Sequence, residues 1–162
     1  MSIRQELVIN TAPEAKLLIL ILRFGNFATN VKIPFFRHVL YISSKILNLL
    51  LIKFGLNTDI PASVRIGKNV NFQHPFGIVI HPNVVIGENA VIRQQVTIGG
   101  KAVGRTEQIP KIGSNVEIGA GAKIIGDILI GDNVIIGANS VVTKNVKDND
   151  IVAGVPAKSL KK

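Results

Sequence analysis

One imidazole and one carboxylate of this sequence are of the residue types that proton transfer uses. His74 lies in the segment His74-Pro75-Phe76-Gly77, and Asp59 precedes it by fifteen residues. An imidazole titrates near neutral pH and can take a proton from a hydroxyl group, while a carboxylate can fix its tautomer and stabilise its protonated form. Each residue also has a simpler interpretation, since His74 could be an ordinary turn residue and Asp59 an ordinary corner or helix-exit residue.

The composition argues against metal chemistry. The chain has no cysteine, and its three histidines, His38, His74 and His81, are not at metal-ligand spacing. We therefore expect no metal, and we assign no role to His38 or His81. The lack of cysteine also fits a reducing compartment.

Apolar residues recur at an interval of six over about half of the chain, and this period predicts the fold that positions His74 and Asp59. A helix would repeat every 3.6 residues and a strand every 2. A period of six instead indicates a coil of short strands and tight turns, which is a mainly β fold. Asparagines at its corners are expected in left-handed backbone geometry: Asn69, Asn89, Asn115 and Asn133. The periodic positions are Ile60, Ile66, Phe72, Ile80, Ile86, Ile92, Ile98, Ile112, Ile118, Ile124, Ile130, Ile136 and Val142.

Two interruptions of this period are candidate functional segments. The register slips by two residues at His74-Pro75-Phe76-Gly77, and a polar stretch from Gly100 to Pro110 separates Ile98 from Ile112. Departures from a rigid repeat commonly carry function. We expect residues 100–110 to form a loop extruded from the coil.

The chain divides into three predicted segments. Residues 1–57 have helical signals, with a capping box at Thr11-Ala12-Pro13-Glu14, a stop at Gly25-Asn26, and a second helix from about Phe35 to Phe54. Residues 58–147 form the repeat domain, and residues 148–162 form a C-terminal cap with a basic tail. The apolar residues of 1–57 have two interpretations, a buried packing face or peripheral attachment to a membrane.

The charge balance is strongly basic, with a net charge of +9. This favours a solvated basic surface, an anionic ligand such as a phosphorylated cofactor, or an anionic membrane face. Nucleic acid is not expected as a partner, because the chain has one Tyr and no Trp for base stacking and no basic cluster with interleaved aromatics.

A set of ordered motifs resembles the serine acetyltransferase branch of the hexapeptide, or left-handed β-helix, acyltransferases. The resemblance implies a left-handed parallel β-helix with a short N-terminal helical region, a homotrimer, and active sites between subunits. It also implies acetyl-CoA as the donor and a hydroxyl group as the acceptor. The motifs are Asp59-Ile60, His74-Pro75-Phe76-Gly77-Ile78-Val79, Val96-Thr97-Ile98-Gly99-Gly100, Pro110-Lys111-Ile112, Ile118-Gly119-Ala120-Gly121-Ala122-Lys123-Ile124 and Ala153-Gly154-Val155-Pro156-Ala157-Lys158.

The same resemblance implies roles for individual residues. His74 stands at the position of the catalytic general base, and Asp59 at that of the carboxylate that orients it. Gly100, Ala120 and Ala138 match positions at which the pantetheine arm of the cofactor lies against the coil. The three small residues could equally be ordinary members of a tight coil.

Two departures from the family concern the acceptor, and in a third an apolar segment of under sixty residues replaces the large N-terminal helical domain of the family. Gln73 replaces an Asp that contacts serine, and Glu107 and Gln108 stand where the loop of the family carries Asp and Arg. Losing the Arg removes a partner for an α-carboxylate. We therefore expect a sugar hydroxyl in capsular or exopolysaccharide synthesis as the acceptor, and a cytoplasmic enzyme at the inner membrane face. The alternatives are a serine acetyltransferase of cysteine biosynthesis, a non-catalytic scaffold, and transfer to an amine of a sugar nucleotide.

Overall fold

The computed structural model describes the backbone of residues 3–103 and 106–161, and the side chains of these residues apart from 101–108. Its N-terminal part is helical. Helix α1 spans Ile3–Ile9, α2 spans Pro13–Asn30, and α3 spans Pro34–Leu47 and continues as a π-helical segment, Asn48–Phe54.

The rest of the described chain is a three-sided parallel β-helix whose faces are three sheets. The first face contains β1 (Arg65–Ile66), β4 (Val85–Ile86), β9 (Lys111–Ile112) and β12 (Leu129–Ile130). The second face contains β2 (Asn71–Gln73), β5 (Val91–Arg93), β10 (Glu117–Ile118), β13 (Ile135–Ile136), β15 (Ile151–Gly154) and β16 (Ala157–Ser159). The third face contains β3 (Val79–Ile80), β6 (Thr97–Gly99), β11 (Lys123–Ile125) and β14 (Val141–Val142).

The period of six arises from this geometry. Ile112 pairs in register with Ile130, which lies 18 residues, or three hexapeptides, further on. The earlier steps are longer, with Ile66 opposite Ile86 and Ile86 opposite Ile112, because the chain adds residues at the two interruptions. The inward residues of successive coils stack into a continuous apolar core.

The polar stretch between Gly100 and Pro110 pairs with itself. Strand β7 (Lys101–Val103) and strand β8 (Thr106–Gln108) form a separate two-stranded antiparallel sheet outside the three faces. The backbone of Glu107 and Gln108 therefore lies in β8, whereas their side chains lie outside the described residues.

The predicted left-handed asparagines are confirmed at one edge of the β-helix. Asn69, Asn89, Asn115 and Asn133 all have φ between 56° and 58°, and Asn149 continues the series at 60°. Each side-chain amide donates to the carbonyl oxygen of the next side chain at 3.0–3.1 Å, which forms a ladder along the edge. The side chains thus link successive coils at positions where few residue types tolerate the backbone.

The N-terminal helices cap the first coil through buried polar contacts. Arg23 donates to both Glu6 carboxylate oxygens, at 2.9 and 2.6 Å, and to the carbonyl oxygens of Ile66 and Gly67. Burial raises the pKa of the Glu6 carboxyl, but the hydrogen bond and charge of Arg23 and the N–H of Asn69 more than offset this effect, so that pKa lies below its ordinary value. This network satisfies carbonyls that a first coil would otherwise leave unpaired.

Two helix signals predicted from the sequence are wrong. Helix α2 begins after Ala12, which has no side-chain capping bond, so the capping box does not form. The same helix runs through Gly25 to Asn30 instead of stopping there. Gly25 is a packing glycine, because a Cβ at this position would lie 2.5 Å from the Cβ of Ala62. Helix α1 was not predicted.

The segment Pro34–Phe54 is an exposed apolar helix. It has 21 residues, of which only Ser44 and Ile52 are buried, and it is long and apolar enough to cross a membrane by length and composition. Its inward side is mixed, since Ile52 is fully buried in the core, Ser44 is fully buried, and the Asn48 amide donates to the carbonyl oxygen of Ile60 at 3.1 Å. Within one subunit most of this helix is therefore exposed, and its two interpretations, as a packing face or as a membrane-attaching face, both stay predictions.

Candidate active site

His74 lies at the edge between the second and third faces, in the turn that follows β2. Its φ is +52°, which is uncommon for a side chain with a Cβ. The side chain is exposed, and within the described chain it makes no hydrogen bond. It lines a cavity of about 450 Å³ together with Phe54, Asn57, Phe76 and Gln95. The imidazole is thus free to meet a ligand.

A buried threonine that the sequence analysis missed holds this turn in place. The Thr58 hydroxyl donates to the carbonyl oxygen of Pro75 at 2.7 Å and accepts from the N–H of Ile78 at 3.3 Å. The Gly77 N–H also donates to the carbonyl oxygen of Leu56. These bonds fix the chain on both sides of the left-handed His74, which offsets the cost of its backbone conformation.

Asp59 does not contact His74 in this structure. Its carboxylate accepts a hydrogen bond from the Lys53 ammonium at 2.9 Å, and both side chains are about half exposed. Asp59 lines a second cavity, which Tyr41, Lys45 and Lys53 also line. The expected Asp59–His74 hydrogen bond is therefore absent from the described residues, where the carboxylate is paired with the Lys53 ammonium. An orienting role for Asp59 stays a prediction.

Ala120 and Ala138 lie on the same edge as His74. The Gly121 N–H donates to the carbonyl oxygen of Gln94, and the Asn139 N–H donates to that of Ala120. These bonds stack the two alanines below the His74 turn, one coil apart. The side chain of Ala138 is exposed and that of Ala120 partly so. The resulting strip of small residues leaves backbone groups accessible.

Gly100 lies on a different edge. It follows β6 at the other side of the third face, where the chain leaves the coil for the β7–β8 hairpin. The structure therefore brings His74, Ala120 and Ala138 together but places Gly100 apart from them within one chain.

Gln73 forms part of a polar row on the outer side of the second face. Its side-chain oxygen accepts from the Arg93 Nε at 3.1 Å, and an Arg93 terminal nitrogen lies 4.0 Å from a Glu117 carboxylate oxygen. Gln73 and Arg93 occupy the same register position on neighbouring strands. Arg93 therefore stands beside the His74 turn, although the sequence analysis did not single it out.

The fold and this edge define a class of protein, the hexapeptide-repeat transferases. Residues 109–144 match the family described as bacterial transferase hexapeptide (six repeats). A serine acetyltransferase from Staphylococcus aureus (strain Mu50) is 38% identical over 109 residues, which is 67% of this chain and 51% of that protein. The chain thus spans about half the length of the curated relatives it matches.

Solved structures agree with the sequence relatives. A serine acetyltransferase in complex with CoA aligns with a TM-score of 0.78 and 31% identity, covering 95% of this chain and 60% of that one. The soybean serine acetyltransferase apoenzyme aligns with a TM-score of 0.76 and 30% identity, covering 98% and 69%. The chain belongs to the hexapeptide-repeat transferase family, on its serine acetyltransferase-like branch.

These comparisons decide two of the expectations. The predicted left-handed parallel β-helix with N-terminal helices is confirmed. The predicted sugar acceptor is wrong, because the relatives in sequence and structure are serine acetyltransferases. The changes at Gln73, Glu107 and Gln108 remove particular side chains but leave a serine acetyltransferase-like fold over nearly the whole chain.

Proposed function

We propose that this protein transfers the acetyl group of acetyl-CoA to the hydroxyl group of L-serine. The observation that carries the proposal is the alignment of 95% of the chain with a serine acetyltransferase solved with CoA. The exposed imidazole of His74, in a cavity beside a strip of small residues, supports it.

The chemistry assigned to His74 is general base catalysis. Its unprotonated imidazole takes the hydroxyl proton of serine as the oxygen attacks the thioester carbonyl carbon. The C–S bond then breaks, and the imidazolium returns the proton to the sulfur of CoA as it leaves. The strip containing Ala120 and Ala138 lets the pantetheine arm approach the backbone closely.

The site is proposed to be completed within a homotrimer. Gly100 and the β7–β8 hairpin leave the coil at a different edge from His74, and in a trimer a neighbouring subunit would bring these two edges to the same cofactor. Exposed apolar residues on the flat faces, including Val79 and Leu129, support subunit packing.

The function is tested by following free CoA thiol with acetyl-CoA and L-serine, and by identifying the product by mass spectrometry. We expect serine-dependent thiol release and O-acetylserine as the product. Thiol release that does not depend on serine, or acetylation of an amine instead of the hydroxyl, would contradict the proposal.

We further propose that Pro34–Phe54 lies on the anionic inner face of the cytoplasmic membrane. Phe35 and Phe54 are 71% and 73% exposed, and residues 15–58 contain six Lys or Arg but no Asp or Glu. A second copy of this face would bring like charges together, whereas an anionic bilayer matches both its apolar and its basic character. Because Asn48 and Lys53 tie the polar side to the β-helix, the helix would lie along the surface.

Vesicle co-sedimentation tests this surface. We expect binding to phosphatidylcholine vesicles that contain about a third phosphatidylserine, weakened by salt and lost in a Phe35→Ser/Phe36→Ser variant. The matched control is Val155→Ser, an equally exposed apolar residue at the other end of the chain. Equal binding to neutral vesicles would contradict a lipid partner. A mass in solution of twice that of the trimer, which the double variant abolishes, would also contradict it. The second outcome would indicate protein–protein packing.

A further inference from the structure

The polar row beside His74 contains a guanidinium that is positioned but weakly paired. Arg93 is held through its Nε by the side-chain oxygen of Gln73 at 3.1 Å, which leaves the two terminal nitrogens facing away from this bond. Their charged neighbour, Glu117, is 4.0 Å away and 50% exposed, and the Arg93 side chain is 39% exposed. An exposed ion pair at this distance contributes little stability, so the pair can open at small cost.

Two lysines also have partners in this part of the molecule. The Lys53 ammonium is paired with Asp59 at 2.9 Å, and the Lys123 ammonium donates to the carbonyl oxygen of Gln95 at 2.6 Å. Both are ammonium groups, whereas Arg93, opposite Gln73 in the sheet, carries a planar fork of terminal donors that matches a carboxylate.

An amino-acid acceptor needs such a group. Serine carries a carboxylate only a few bonds from its hydroxyl, so a group that binds the carboxylate must lie close to the base that takes the hydroxyl proton. A guanidinium is well suited, because its terminal N–H groups match the two oxygens of a carboxylate.

We infer that Arg93 binds the α-carboxylate of the acceptor, with Gln73 as a positioning residue that holds the guanidinium. Gln73 is adjacent to His74 in the chain and opposite Arg93 in the sheet, so it links the base to the carboxylate site. The bound carboxylate takes the place of Glu117 beside the terminal nitrogens. This inference rests on the proposed serine acetyltransferase function and specifies how that site selects an amino acid.

The test compares Arg93→Met and Arg93→Lys with Arg65→Met, a matched control on the exposed side of the first face. For Arg93→Met we expect the KM for L-serine to rise by about ten- to a hundredfold, with kcat and the KM for acetyl-CoA nearly unchanged. Arg93→Lys should recover part of the loss, and Arg65→Met should match the wild type. Gln73→Ala should raise the same KM by a smaller factor, again without a matching fall in kcat.

A second acceptor separates carboxylate binding from a general structural role. Serinol has the hydroxyl and amine of serine but no carboxylate, so Arg93→Met and the wild type should acetylate it at equal rates. An unchanged KM for serine in Arg93→Met would overturn the inference while leaving the proposed function intact. A wild-type protein that does not acetylate serine would overturn the proposed function itself, and the inference with it.

Discussion

At the scale of single residues, Asp59 gives the sharpest test of the site geometry. Its carboxylate is paired with Lys53 and not with the imidazole of His74. If this pairing persists in the assembled protein, Asp59→Asn lowers kcat by less than about tenfold, whereas loss of an orienting carboxylate in a catalytic pair costs about 10⁴-fold. Steady-state kinetics with serine distinguishes the small fall in kcat from the large one. A loss near a thousandfold would show that Asp59 turns to His74 in the assembled, substrate-bound protein.

Only the part of this site that has a signal in the neighbouring sequence could be predicted. His74 was recognisable because it stands where the period of six slips. Arg93 and Thr58 could not be recognised in the sequence, because their contacts depend on which residues of a neighbouring coil lie opposite them. Thr58 reaches Pro75, and Arg93 reaches Gln73 twenty residues earlier. Neither residue type is unusual at its own position.

At the scale of elements, the asparagine ladder is predicted to stabilise the β-helix. Asn115 accepts from Asn89 and donates to Asn133 while its φ is +56°. We expect Asn115→Ala to lower the free energy of unfolding by about 2 kcal/mol, because it adds backbone strain and removes two exposed hydrogen bonds. Denaturant unfolding measures this effect.

A glycine at the same position separates the two contributions. Asn115→Gly keeps the left-handed backbone without strain but loses both hydrogen bonds, so it should be less destabilising than Asn115→Ala. Equal stability of the alanine variant and the wild type would show that the ladder contributes nothing.

The helical cap is predicted to be sensitive to acid. The pKa of Glu6 is lowered in the folded state, so its stabilising effect is complete above roughly pH 4.5, the ordinary value for Glu, and is lost as the pH falls through the lower folded value. At neutral pH, Glu6→Gln should cost roughly 2–3 kcal/mol, because Arg23 then lies partly buried without its partner.

Thermal unfolding at neutral and acid pH checks the Glu6 prediction. The difference in Tm between Glu6→Gln and the wild type should shrink as the pH falls. A difference that stays constant down to acid pH would mean that the Glu6 charge does not contribute to stability.

The elements differ in how well the sequence predicts them. The β-helix was predictable because every coil repeats the same inward apolar positions and the same asparagine corners. The helix ends were harder to predict, because Gly25 is required by close packing against Ala62 and not by the end of a helix. A glycine at a tertiary contact and a glycine at a C-cap look alike in a sequence.

At the scale of the whole molecule, we expect a homotrimer. The predicted mass in solution is three times the 17.4 kDa of the chain, measured by light scattering in a detergent that covers the apolar helix. The reason is that Gly100 and His74 lie at different edges of one subunit. A fully active monomer would contradict a site shared between subunits.

The central claim is that His74 activates the hydroxyl of serine. It is tested most directly by the kcat of serine-dependent CoA release for the wild type and for His74→Ala, with unfolding curves to confirm that both are folded. We predict serine-dependent release that falls by about 10²–10⁴-fold in the variant, while the variant remains folded. A folded His74→Ala protein that retains the wild-type rate with serine would contradict the account.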